Sequence, residues 1–170
     1  PIVTAAHATG NRARVRALVG RAVMTVGLIG IPATAVLIPL APSLSLLLFA
    51  QPLTLRYAAL TGAAAVAMYY QMITSGLLNA LGLQNRSVLT SVLAEFVQLA
   101  LVLRWCSRPA LGIYGYLLAM LLSGAGAAFF NLAVLHHATG FALRPMRRLG
   151  LPLMCGAAAG LWTRLFALLF

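Results

Sequence analysis

The stretch at residues 113–136, IYGYLLAMLLSGAGAAFFNLAVLH, decides the class of fold, because it contains no Asp, Glu, Lys or Arg. An apolar segment of about 20 residues is long enough to cross the hydrocarbon core of a bilayer as a helix. Similar segments occupy residues 17–40, 57–81, 88–103 and 151–170. The sequence therefore predicts an all-α, polytopic transmembrane helical bundle of about five spans.

The composition excludes most soluble classes of protein. The chain has 170 residues, of which 62% are hydrophobic and 8% charged, and its mean hydropathy is +0.98. A soluble domain carries about 25% charged residues, so this chain cannot build a polar shell. We exclude a soluble enzyme, a nucleic-acid-binding domain and a disordered tail. With one acidic residue, Glu95, and no phosphate-binding glycine motif, we predict no catalytic residue, no metal site and no cofactor.

The arginines predict how the bundle is oriented. With five alternating spans, residues 1–16, 82–87 and 137–150 lie on one side of the membrane. That side, including the start of the first span, carries Arg12, Arg14, Arg16, Arg21, Arg86, Arg144, Arg147 and Arg148. The other side carries Arg56, Arg104 and Arg108. Because positive charge accumulates in cytoplasmic loops, we predict a multi-pass protein of the cytoplasmic membrane with those three segments in the cytoplasm.

Three prolines interrupt the first predicted span. Pro32 lies near its middle, where a missing backbone donor kinks a helix, so we predict a hinge there. Pro39 and Pro42 are expected to end the span. Residues 43–49 would then form a short helix at the membrane interface, since they are too few to cross it again.

Glu95 is the first candidate functional residue, because it lies near the middle of the third span. A carboxylate at the bilayer centre costs about 3 kcal/mol, and such groups usually face protein or a watery cavity. Ser91 and Gln98 lie on the same helical stripe, as does Ser87. The stripe predicts either a cavity that binds a cation, a proton or a polar head group, or a protonated Glu bonded to a neighbouring helix.

Two further spans carry polar or small residues at helical spacing. Gln71, Ser75 and Asn79 recur every four residues in the second span, where they indicate either a wet interior or hydrogen bonds between helices. Asn131 follows Ser123 and Ala127 in the fourth span, a face that favours close helix packing. The GAAAG motif at residues 156–160 is expected to pack within the bundle.

Five short motifs occur in an order that resembles a known family. These are PIVTA at 1–5, GIP at 30–32, SLLLF at 45–49, SGLLNALG at 75–82 and LGIYG at 111–115. The pattern resembles the polysaccharide-transporter branch of the multidrug/oligosaccharidyl-lipid/polysaccharide exporter superfamily. Within that branch it is most similar to stage V sporulation protein B and related flippases of lipid-linked saccharides.

The resemblance implies both a fold and an activity. Such proteins place two six-helix lobes around a central cavity and move a lipid-linked saccharide across the cytoplasmic membrane by alternating access. It implies that the first four spans belong to the second lobe, that a fifth span follows, and that the chain is a C-terminal fragment whose partner is the remaining N-terminal part. The substrate would be a lipid-linked oligosaccharide or peptidoglycan precursor used in cell-wall, polysaccharide or spore-cortex synthesis, with Na⁺ or H⁺ as coupling ion.

Two other functions remain open from the sequence. One is a drug/cation antiporter of the same superfamily, which would need acidic residues in its cavity. The other is a membrane scaffold that recruits wall-synthesis enzymes and transports nothing. In either transporter hypothesis, the cavity is expected to be lined by the polar residues of the second, third and fourth spans, with membrane lipid around them. These residues are Gln71, Ser75, Asn79, Ser91, Glu95, Gln98 and Asn131.

Overall fold

The computed structural model describes residues 2–50, 54–108, 111–140 and 150–169, and this part of the chain is helical, with no strand. The helices are α1 (Ile2–Ala8), α2 (Arg12–Phe49), α3 (Leu55–Ala80), α4 (Gln84–Cys106), α5 (Gly112–Thr139) and α6 (Gly150–Leu169). The prediction of an all-α fold is confirmed. Each predicted span corresponds to one long helix, from α2 to α6 in chain order.

Three described helices, α2, α4 and α5, are long and apolar enough to cross a membrane. The chain is therefore a membrane-embedded protein. The helix α3 has a suitable length, but it carries the polar series from Tyr69 to Asn79 and is not among those three. Membrane crossing by α3 and α6, and hence the total of about five spans, stays a prediction.

The prediction of a separate helix at residues 43–49 is wrong, whereas the end of the membrane span at Pro39 and Pro42 stays a prediction. The helix α2 continues through all three prolines to Phe49. It is capped by Ala50, whose φ is 54° and whose N–H donates to Leu46 O at 3.0 Å. Each proline removes one backbone hydrogen bond. In apolar surroundings no water can replace the other backbone hydrogen bonds of the helix, so these bonds are kept and the helix stays intact. The hinge at Pro32 stays a prediction.

The order of contacts places the helices in a row, α6–α2–α3–α5–α4, with α3 also touching the start of α4. Tyr57 and Tyr114, near the starts of α3 and α5, stack with ring centroids 4.3 Å apart. The two helices therefore run parallel, and α4, which connects them in the chain, runs in the opposite direction along the far side of α5. At the end of α3, Gly82 adopts φ 75°, which lets the N–H of Leu83 donate to Leu78 O at 2.9 Å.

Small residues set the spacing between neighbouring helices. A Cβ on Gly156 would lie 2.7 Å from Ile31 Cγ2, and one on Gly160 would lie 3.4 Å from Ala35 O. The contacts advance by four residues on both α2 and α6, so these helices run parallel. This confirms that the GAAAG motif packs within the bundle. A Cβ on Gly124 would lie 3.6 Å from Ala67 Cβ, which confirms close packing of that face of α5.

One end of the bundle collects arginines, and we call it the basic end. It holds the start of α2, with Arg12, Arg14 and Arg16, and the start of α4, with Arg86. The end of α5 lies beside them, because Arg16 Nε donates to Thr139 O at 3.4 Å. Three further predicted cytoplasmic arginines, at 144, 147 and 148, lie outside the described residues.

Candidate functional site: polar groups within the bundle

Asn131 is the centre of a buried hydrogen-bond network between α3 and α5. Its side chain is fully buried. Its Nδ2 donates to Ser75 Oγ at 2.9 Å and to Thr74 Oγ1 at 3.3 Å. Thr74 Oγ1 in turn donates to Tyr70 O at 2.7 Å, so the hydroxyl accepts one bond and gives one. The geometry supports the interpretation of Ser75 and Asn131 as a connection between helices.

The helix α4 joins this network at its first turns. Ser87 is buried, and its Oγ donates to Ser75 O at 3.5 Å, the longest bond of the group. One polar cluster therefore links α3, α4 and α5. We call the side chains of Thr74, Ser75, Ser87 and Asn131 the buried network.

A second polar contact joins α4 to α5 further along both helices. Ser123 Oγ lies 2.8 Å from Gln98 Oε1 and 3.2 Å from Met120 O, and its single proton can serve either acceptor. Gln98 is half-buried and Ser123 is buried. The predicted stripe residue Gln98 thus contacts protein.

Two buried polar atoms of the described part of the bundle have no hydrogen-bond partner. They are Tyr70 Oη and Asn131 Oδ1. Tyr70 Oη points at α2, where it fills the space that a side chain on Gly27 would need. An unsatisfied buried polar group costs about 1–3 kcal/mol, so both atoms lower stability in exchange for the packing of their side chains.

Glu95 lies outside both contacts. It is eleven residues after Gln84 and eleven before Cys106, which places it about 16 Å from either end of α4. Its side chain is exposed, and so are those of Phe96 and Leu99 beside it. The predicted stripe therefore divides: Ser87 and Gln98 face protein, Ser91 is half-buried at the border, and Glu95 faces outward.

The other predicted residues occupy the borders of the bundle. Gln71 is half-buried, with its Oε1 3.6 Å from where a Cβ on Gly124 would lie. Asn79 is exposed and Pro32 is half-buried. Of the predicted site residues, the structure brings Ser75 and Asn131 together and joins Gln98 to α5. It does not bring Glu95, Ser91, Gln71 and Asn79 to one point.

Sequence reasoning missed Thr74, which is fully buried and bonded to Asn131. The signal was present, because Thr74 lies next to Ser75 and four residues after Tyr70. Threonine in a helix commonly bonds its own backbone, so its hydroxyl carries little information until the neighbouring helix is placed.

A small groove between α4 and α5 lies near these groups. Its volume is about 180 Å³, and it is lined mainly by apolar side chains, with Ser123 and Thr90 as polar members. Such a lining suits an acyl chain or a neighbouring helix better than a sugar. Among the described residues, no group of His, Cys, Asp or Glu could hold a metal ion.

Comparison with known proteins adds no relative: no protein-family model, no curated protein and no solved structure matches the chain.

Proposed function

We propose that the chain is part of a membrane transporter of the multidrug/oligosaccharidyl-lipid/polysaccharide exporter superfamily. It moves a lipid-linked oligosaccharide or peptidoglycan precursor across the cytoplasmic membrane by alternating access. The order of short motifs from PIVTA at 1–5 to LGIYG at 111–115 supports the family. Long helices that alternate in direction, with α2, α4 and α5 apolar enough to cross a membrane, are compatible with one lobe of such a protein.

The observation that carries a transport function is the position of Glu95. An ionisable group halfway along an apolar helix marks a substrate or ion pathway more often than a lipid contact. None of the described hydrogen bonds involves Glu95, and its side chain is exposed. Contact with lipid would cost about 3 kcal/mol, so this edge of α4 favours a hydrated cavity or a second lobe beside it.

The polar residues then divide into two groups with different roles. The buried network holds α3, α4 and α5 in a fixed arrangement. A lobe that moves as a rigid body requires such an arrangement. The exposed residues Glu95 and Asn79, with Ser91 and Gln71 at the borders, supply groups to the cavity. Amide and hydroxyl donors bind saccharide hydroxyls or phosphate oxygens, and the carboxylate binds Na⁺ or H⁺ as the coupling ion. The basic end lies in the cytoplasm.

The test is translocation of a labelled lipid-linked saccharide in proteoliposomes that contain the full-length gene product. We expect the wild-type protein to accelerate translocation over empty liposomes. Glu95→Gln should slow it by roughly tenfold, the change that 1.4 kcal/mol produces, at unchanged expression and helicity. Glu95→Asp keeps the charge and should retain most of the rate. No acceleration by the wild type would overturn the proposal, and equal rates for all variants would remove Glu95 from the mechanism.

A drug/cation antiporter of the same superfamily is the second candidate, because such a protein needs acidic residues in its cavity and Glu95 is an exposed carboxylate halfway along α4. Such an antiporter would export an organic cation in exchange for Na⁺ or H⁺ that moves inward down its gradient. It would not translocate lipid-linked saccharides. The same proteoliposomes, loaded with a fluorescent organic cation, distinguish the two. Gradient-driven cation export that Glu95→Gln abolishes, without saccharide translocation, would favour the antiporter.

A further inference from the structure

The basic end holds a cavity that the proposed transport function does not use. Its volume is about 450 Å³. Three parts of the chain form it: the turn between α1 and α2 with the first turn of α2, the turn between α3 and α4, and the last turn of α5. The lining residues are Gly10, Arg12, Val15, Leu81, Leu83, Ala138 and Thr139.

The lining divides by chemistry. Arg12 is an exposed, charged member of the lining, and Thr139 is a half-buried polar member whose hydroxyl donates to Leu135 O at 2.7 Å. Val15 and Leu81 are buried at the base of the cavity, with Leu83 half-buried beside them. A cavity with a cationic rim and an apolar base matches a molecule with an anionic head and an apolar body.

The charge around the cavity is strongly positive and has no counter-charge nearby. Arg14 and Arg16 lie on the same turns of α2 as Arg12, and Arg86 lies at the start of α4. The one acidic side chain of the whole sequence, Glu95, is in the middle of α4, about 14 Å of helix rise beyond Arg86. These arginines therefore cannot be neutralised by side-chain carboxylates at this end of the chain.

Helix ends contribute with both signs. The starts of α2 and α4 bring partial positive charge to the cavity, and the ends of α3 and α5 bring partial negative charge. Arg16 offsets part of the latter, since its Nε donates to Thr139 O at 3.4 Å. Full guanidinium charges outweigh these half-charges, so the net field favours an anion.

We propose that this cavity binds the phosphate head group of an anionic membrane phospholipid, with Arg12 holding the phosphate and the leucines contacting the glycerol and the start of the acyl chains. The position agrees, because the ends of membrane helices lie at the level of lipid head groups. The apolar part of the lining, with half-buried Leu83, favours a lipid over free inorganic phosphate, which has no apolar group to place against it. This proposal does not depend on the transported substrate.

Binding of phosphatidylglycerol to the full chain in phosphatidylcholine nanodiscs tests the proposal, by native mass spectrometry or by an exchangeable fluorescent lipid. Arg12→Ala should weaken binding about tenfold, because it removes a direct, charge-assisted hydrogen bond to the phosphate. Arg14→Ala is the matched control, because it removes the same charge from the same helix end without lining the cavity. It should change binding less than twofold.

A second variant separates the cavity from the surface charge. Ala138→Trp leaves the charge unchanged and fills the cavity, so it should weaken binding by about as much as Arg12→Ala. Inorganic phosphate should compete only weakly. Equal losses for Arg12→Ala and Arg14→Ala, or full binding by Ala138→Trp, would overturn the cavity assignment. Equal affinity for phosphatidylcholine, or full displacement by millimolar phosphate, would overturn the anionic phospholipid as ligand. Unchanged helicity and thermal unfolding of each variant exclude misfolding as the cause.

Discussion

The contact between α3 and α5 and the outer edge of α4 place polar side chains inside apolar helices in opposite ways. On α5, Asn131 is fully buried and donates to two hydroxyl groups of α3. On α4, Glu95 is exposed between apolar neighbours and takes part in none of the described hydrogen bonds. The first arrangement joins helices within the described chain. The second has unused binding capacity toward whatever lies beside α4.

This difference separates two interpretations that the sequence leaves open for both residues. An amide whose donors are taken by neighbouring helices is a structural group, because little of it is left to bind a substrate. A carboxylate that no neighbour neutralises is expensive in lipid, so a hydrated surrounding or a bound cation is needed to keep it. Burial and hydrogen-bond partners, which come from the fold, therefore give Asn131 a structural role and leave Glu95 as the residue for which we propose a function.

Two nearly isosteric substitutions test the difference between buried Asn131 and exposed Glu95 with the largest expected effect. Asn131→Asp should lower the free energy of unfolding by about 2–3 kcal/mol, because a buried carboxylate replaces a donor and must be protonated or desolvated. Glu95→Gln should change it by less than about 0.5 kcal/mol, because an exposed side chain makes no contact that is lost. Unfolding by sodium dodecyl sulfate in mixed micelles measures both values. A tolerated Asn131→Asp would show that water reaches the buried network.

A smaller effect is expected when the network loses its donor without gaining a charge. Asn131→Leu keeps the number and branching of the side-chain heavy atoms, and it removes the unpartnered Oδ1 as well as the bonds to Thr74 and Ser75. We expect a loss of about 1 kcal/mol. In a double-mutant cycle with Ser75→Ala, the coupling energy should be about 0.6 kcal/mol, the usual value for hydrogen bonds between membrane helices. Strictly additive losses would mean that the Asn131–Ser75 bond contributes nothing.

The smallest change in the free energy of unfolding is expected at the contact between α4 and α5. Ser123→Ala removes the bond to Gln98 and should lower the free energy of unfolding by about 0.5 kcal/mol. The loss is small because the hydroxyl proton of Ser123 is shared between Gln98 Oε1 and Met120 O. Ser91→Ala on the outer side of the same α4 stripe is the control and should leave stability unchanged. The unfolding titration that serves the other variants applies here. A larger loss of stability for Ser91→Ala than for Ser123→Ala would show that Ser91 also takes part in the contact between α4 and α5.

Composition and the length of the apolar segments predict the long helices well, because they depend on local sequence. Each predicted span from 17–40 to 151–170 coincides with a helix whose ends differ from it by a few residues or more. The largest difference is at α2, which extends to Phe49. Proline rules derived from helices in water underestimate how strongly an apolar environment preserves the remaining backbone bonds.

The candidate site could be predicted only in part. Spacing identified Ser75, Asn131 and Gln98, but it could not tell which of them meet, since that depends on how α3, α4 and α5 turn toward one another. Spacing also grouped Glu95 with Ser87 on one stripe. The stripe is wide enough for its two sides to have different surroundings, so Ser87 is buried while Glu95 is exposed. The exposure of a helix edge is a tertiary property that no local pattern contains.

We propose that the Glu95 edge of α4 faces water within the membrane. The most direct measurement replaces the two exposed cysteines, Cys106 and Cys155, by serine and introduces Glu95→Cys. A membrane-impermeant maleimide is then applied to the full-length gene product in proteoliposomes. Phe129→Cys, at an exposed position on α5, is the lipid-facing control. We predict that the cysteine at 95 is labelled and the cysteine at 129 is not. Failure to label position 95, or equal labelling of both, would contradict the account.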